Sequence, residues 1–101
     1  MTFRVIIEGE AEAELKEAIS YYDANSEGLG DIFADEVRIK LHQAAKNPER
    51  YPFAGATTQK IKMVDWPYSI YFTLVQDSAE LIVISVFHGA QDPAKLRKRL
   101  K

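Results

Sequence analysis

Three strand-like runs crowd the second half of the chain: TQKIKMV (58–64), YSIYFTLV (68–75) and ELIVISVFH (80–88). They are joined only by Asp65-Trp66-Pro67 and by Gln76 to Ala79. A parallel crossover needs about a dozen residues, so connectors this short force neighbouring strands to run antiparallel. In the middle run Tyr68, Ile70, Phe72 and Leu74 form one face, and Ser69, Tyr71, Thr73 and Val75 form a more polar one. The apolar face is expected to pack on the rest of the fold while the other stays partly open. The third run is apolar on both faces and is placed centrally. It ends on His88, which shares parity with Ile82, Ile84 and Val86.

The first half has a different period. TFRVIIE (2–8) alternates Phe3, Val5 and Ile7 and reads as a strand. From Glu10, the residues Ala11, Leu15, Ala18, Ile19 and Tyr22 recur at helical spacing, with Glu10, Glu12 and Glu14 near the helix start, where negative charge suits the dipole. NSEGLG (25–30) breaks this helix. A second helix is predicted from about Asp31 to Lys46, with Phe33, Val37, Leu41, Ala44 and Ala45 on its apolar stripe and Asn47-Pro48 as its stop. The short loop makes the two helices an antiparallel hairpin. Tyr21, Tyr22 and Phe53 read as packing around the hairpin and its exit, and Trp66 and Tyr68 as a clamp on turn and core. The order is β-α-α-β-β-β. This is an α+β fold of an N-terminal strand, an antiparallel helical hairpin and a three-stranded antiparallel meander, in a single domain over residues 1–101. Asp92-Pro93 can start a short terminal helix; otherwise the end is a basic tail.

Composition narrows the chemistry. The 101 residues include no cysteine, which removes disulfides, zinc thiolate sites and a cysteine nucleophile. His42 and His88 are far apart in sequence, so neither a metal nor another cofactor is expected; His42 reads as a structural or surface residue. Acids begin at Glu8, unlike a signal peptide, and no apolar run approaches the ~20 residues of a membrane span. A cytoplasmic protein is expected. The net charge of −2 conceals an excess of acids in residues 1–50 and of bases in 51–101, five of them in KLRKRLK (95–101). A uniformly basic nucleic-acid binder is not supported.

EAISYYDAN (17–25), NPERYPFAG (47–55), WPYSIYF (66–72), VISVFHGAQDP (83–93) and the basic end occur in this order. Together they make the chain resemble the RelE/ParE superfamily of toxins from type II toxin–antitoxin systems, often labelled plasmid stabilization proteins. The resemblance covers nearly the whole chain. It implies a helical hairpin against an antiparallel sheet, growth inhibition, a role in plasmid maintenance, and neutralisation by a cognate antitoxin. A homodimer and a toxin–antitoxin hetero-oligomer both fit. RelE-like members cut messenger RNA on the ribosome, whereas ParE-like members inhibit DNA gyrase.

RNA cleavage needs a proton-transfer group and cations for the phosphate. His88 matches the strand-end histidine that some ribosome-dependent members use, although a polar strand terminator bonded to its turn is the more common role of such a residue. Tyr71, on the polar face, is a second catalytic candidate; an aromatic cross-strand pair is its structural alternative. Lys60 and Lys62 share a strand face near where many members carry an arginine, and with Arg97 and Arg99 they are the candidates for target or phosphate binding. A solvated lysine face protecting a sheet edge is the other reading of the lysines. Gln91 stands in a turn where many relatives are basic. The acidic pI of about 5.7 and this missing charge favour a protein target such as DNA gyrase. The alternatives are a ribosome-dependent mRNA endoribonuclease and a non-toxic binding module on the same scaffold.

Overall fold

A computed structural model describes residues 2–100; Lys101, the last base of the expected tail, lies outside the described residues. Strand β1 (Arg4–Ile7) leads into helices α1 (Gly9–Asn25) and α2 (Leu29–Lys46). A 3₁₀ turn at Pro48–Arg50 precedes β2 (Thr58–Lys62), β3 (Tyr68–Val75), β4 (Glu80–His88) and the short helix α3 (Pro93–Arg97). The sheet order is β1-β4-β3-β2. The meander is antiparallel as expected, but β1 joins β4 in parallel, from Arg4 beside Glu80 to Ile7 beside Val83, so the sheet is mixed rather than antiparallel. The whole helical hairpin supplies the crossover that a parallel pairing requires.

The hairpin packs on one face of the sheet. Phe33, Val37, Leu41, Ala44 and Ala45 of α2 and Ala11 and Ala18 of α1 meet Ile61, Ile70, Phe72, Leu81, Val83 and Val86 in one core. Only Ser26–Gly28 separate the helices, so α2 starts two residues before the predicted Asp31. Gly28 holds a left-handed φ of 85°, a conformation that favours glycine. Gly30 is pressed against α1, where its N–H donates to Asp23 Oδ1 at 2.8 Å. A Cβ at Gly30 would run into the Ile19 carbonyl oxygen and lie 2.7 Å from Asp23 Oδ1. Tyr22 and Phe33 stack edge-on against Trp66, at 4.8 and 5.0 Å between ring centres, and tie the hairpin to the β2–β3 turn. Tyr21 and Phe53 are more exposed than expected, at 60% and 66%, Tyr21 meeting the Tyr22 ring edge-on at 5.4 Å. Strand β2 stops at Lys62, two residues short of the predicted end, and Val64 beyond it faces solvent.

Two features were not legible in the alternation. The register of β4 against β3 shifts between Tyr71 and Phe72, which face Ser85 and Val83, so Ile84 is an extra, bulged residue. The shift reverses parity: His88 lies on the helix-packed face with Leu81, Val83 and Val86, not with Ile82 as strict alternation predicts. The opposite face is also covered, because Leu96 of α3 and Leu100 pack on Tyr71 and Phe87. Asp92 caps α3, accepting from the Ala94 N–H at 2.9 Å, with Pro93 in the first turn.

Beyond Val83, β4 outruns β1, whose last bond to it is from the Glu8 N–H to the Val83 carbonyl at 3.1 Å. Side chains close the remaining edge. Glu14 Oε1 accepts from the Val86 N–H at 3.1 Å and from the Ser85 hydroxyl at 3.0 Å. Arg99 forks onto the same carboxylate at 3.0 and 3.2 Å, reaches Glu10 at 3.1 Å and donates to the Ile84 carbonyl. Burial alone would lower the pKa of Arg99; its hydrogen bonds to Glu14 and the charges of Glu14, Glu10 and Glu8 outweigh that and raise it.

Two stability predictions follow from these contacts. Gly30→Ala should lose about 1–3 kcal/mol in a urea titration, because overpacking against backbone cannot relax, whereas Gly9→Ala, with open space around its Cβ, should be nearly neutral. Arg99→Met should cost about 2–3 kcal/mol, because it leaves the half-buried Glu14 carboxylate without its counter-ion.

Candidate functional site

The aromatic pairing of Tyr68 with His88 opens β3 and closes β4: the two residues are cross-strand partners, and their rings meet edge to face at 4.9 Å. His88 is half-buried at this rim. Its Nδ1 accepts from the Ala90 N–H at 2.9 Å, so the neutral ring carries its proton on Nε2. The turn is closed by Gln91, whose Oε1 accepts from the His88 N–H at 3.0 Å and whose N–H donates to the His88 carbonyl at 3.1 Å. The Gly89 N–H donates to the Pro67 carbonyl at 2.8 Å, joining this turn to the one between β2 and β3.

Two depressions meet at the imidazole. On the α1 side, Glu14, Glu17, Tyr21, Tyr68, His88 and Gln91 line a cleft of about 310 Å³, with Ala18 and Val86 at its base. On the other side Lys62, Met63, Trp66, Pro67, Tyr68, Ser69 and the His88–Ala90 turn line an apolar groove of about 420 Å³. Burial raises the pKa of the Tyr68 phenol, and the nearby Tyr22, Glu17 and Tyr21 add to that rise by disfavouring a second negative charge.

The sequence-derived candidates do not assemble into one centre. Lys62 shares the rim groove with His88. Tyr71 lies on the opposite face of the sheet, 7% exposed, packed on Phe87 and Leu96. Lys60 sits with it, its Nζ 5.9 Å from the Tyr71 ring centre. Arg97 is exposed on α3. Arg99 has its guanidinium held by Glu14, Glu10 and the Ile84 carbonyl. Among the described residues no three His, Asp or Glu side chains are grouped to hold a metal ion. His42 is exposed on α2. Glu17, Tyr21 and Tyr68 join His88 at the cleft, although the sequence marks the two tyrosines only as packing residues and Glu17 not at all. The signal for Tyr68 was its place at the start of the middle run, which an antiparallel hairpin sets opposite the end of the next.

The chain matches, over residues 5–93, the family described as ParE toxin of type II toxin–antitoxin system, parDE. It belongs to that family, within the RelE/ParE superfamily, and is a toxin whose partner is a cognate antitoxin. Among solved structures, it resembles a chromosomal ParDE toxin–antitoxin system from P. aeruginosa, with a TM-score of 0.71, 12% identity, and 86% of this chain and 96% of that one covered. It also resembles an arginine-to-alanine double mutant of the E. coli toxin RelE in the free state (TM-score 0.72, 16% identity, covering 98% of this chain and 94% of that one). The same RelE mutant in complex with a RelB antitoxin peptide gives a TM-score of 0.65 at 17% identity, covering 100% of this chain and 97% of that one. At these identities the likeness is one of fold. No curated protein sequence matches the chain.

Tyr22 and Tyr68 should ionise above the ordinary tyrosine range, both being raised first of all by burial. In an ultraviolet titration above the ordinary tyrosine range, Tyr68→Phe should remove part of the late-ionising absorbance. Because the folded state holds its phenolic protons longer than the unfolded chain, stability should fall as pH rises from the ordinary tyrosine value towards the raised one.

Proposed function

We propose that this toxin arrests growth by binding a protein target, DNA gyrase being the first candidate, and that it does so in the cytoplasm until its antitoxin covers it. The observation that carries this reading is the charge around His88. Its cleft is lined by no lysine or arginine and by two carboxylates, of which Glu14 is neutralised by Arg99 and Glu17 makes no ion pair with another described residue. A scissile phosphate brought to the imidazole from that side would meet negative charge, where an RNA-cleaving site needs cations to hold the phosphorane. From the groove side Lys62 is the single cation lining, and a lysine offers a point charge rather than a fork. The parDE description of the matching family points the same way.

A nuclease remains the second reading, supported by one feature: His88, an imidazole able to transfer protons, stands where the cleft and the groove meet. Two assays run together separate them. The protein-target reading expects inhibition of supercoiling by purified gyrase, and intact message in a purified translation reaction whose 5′ ends are mapped by primer extension. New ribosome-dependent ends that vanish in His88→Ala would overturn it. Neither effect, and no growth arrest on expression, would favour a binding module without toxicity.

A further inference from the structure

The cleft beside α1 carries an unbalanced charge. Glu14 is neutralised by Arg99, and its Oε1 is also held by Ser85 and Val86. Lys16, the lysine next to Glu17 in sequence, is paired with Glu12 at 3.0 Å. Glu17 itself makes no hydrogen bond or ion pair to another described residue, yet it lines the cavity. Two phenol rings line it as well: Tyr21, 60% exposed, on α1, and Tyr68 from the sheet.

This combination selects its ligand. An anion would be repelled by Glu17. An apolar group would strip water from that carboxylate and return no hydrogen bond. A cation gains from both the carboxylate and the negative faces of the rings. A guanidinium suits the site better than an ammonium, because its planar fork can bond a carboxylate in two places while lying flat on a ring. The volume, about 310 Å³, suits one long side chain rather than a helix.

We propose that the protein inhibited by this toxin inserts an arginine side chain into the cleft between α1 and the end of β4, where Glu17 receives the guanidinium between Tyr21 and Tyr68. The proposal rests on the protein-target reading and names the chemistry of that target's contact. The inhibited protein is the occupant favoured by charge, since an enzyme that handles DNA presents basic surfaces.

The test uses the full chain and a defined probe, N-acetyl-arginine-N-methylamide, with the uncharged citrulline analogue as control. The arginine probe should shift the NMR signals of Tyr21, Tyr68 and His88 saturably, the citrulline analogue should not, and Glu17→Gln should abolish the response. In cells, Glu17→Gln should weaken growth arrest while antitoxin affinity stays within about twofold; loss of one charge-assisted contact should cost at least about tenfold in target binding. Circular dichroism establishes that the variant is folded. Absence of a saturable shift, or an equal shift with citrulline, overturns the proposal. So does a Glu17→Gln protein that arrests growth undiminished but has lost its antitoxin, since the occupant is then the antitoxin. A protein that takes the arginine probe through Glu17 but does not bind gyrase keeps the pocket's chemistry and replaces only the target.

Discussion

The ion pair between Glu14 and Arg99 joins residues 85 apart in sequence and does the work of a missing strand. β1 spans only four residues, whereas β4 spans nine, so the last part of β4 has no backbone neighbour on that side. Buried amides and carbonyls must find partners. Glu14 takes the Val86 N–H and Arg99 takes the Ile84 carbonyl, one partner from a helix and one from the chain's end. The same bonds hold α1 beside β4 and draw the C-terminal segment back onto the sheet, where Leu96 and Leu100 cover Tyr71 and Phe87. The His88 cleft exists because α1 and β4 are fixed at this spacing.

Much of the fold was legible because its determinants are local. β3 and β4 run between the predicted residues, Tyr68–Val75 and Glu80–His88, since alternation and turn chemistry bound them on both sides. The helical hairpin was legible from its stripes. The parallel placement of β1 was not, because no short connector dictates it. The bulge at Ile84 was hidden for a different reason: VISVF is apolar on both faces, so a one-residue slip leaves no mark in the pattern. That slip decides which face His88 occupies. Glu14 reads as one acid of the helix start and Arg99 as a tail base that is a candidate for target or phosphate binding, since neither carries a sign of its distant partner.

The site was legible only in its anchor. His88 stands at a strand rim, as the sequence suggested, but its neighbours come from β3 and α1 rather than from the basic residues further on. The sheet divides the candidates: Tyr71 and Lys60 serve the α3 side, while Tyr68, Tyr21 and Glu17 surround the histidine's cleft. What results on this toxin scaffold is a rim with an acidic, aromatic hollow on one side of the imidazole and an apolar groove with one lysine on the other.

Hydrogen exchange at the Val86 amide tests the structural claim most directly. If Glu14 closes the edge of β4, this amide should exchange as slowly as that of Val83 in the paired part of the same strand. Exchange as fast as that of the exposed Gly89–Ala90 turn would mean the edge is open, and the cleft would lose the wall on which the functional account stands.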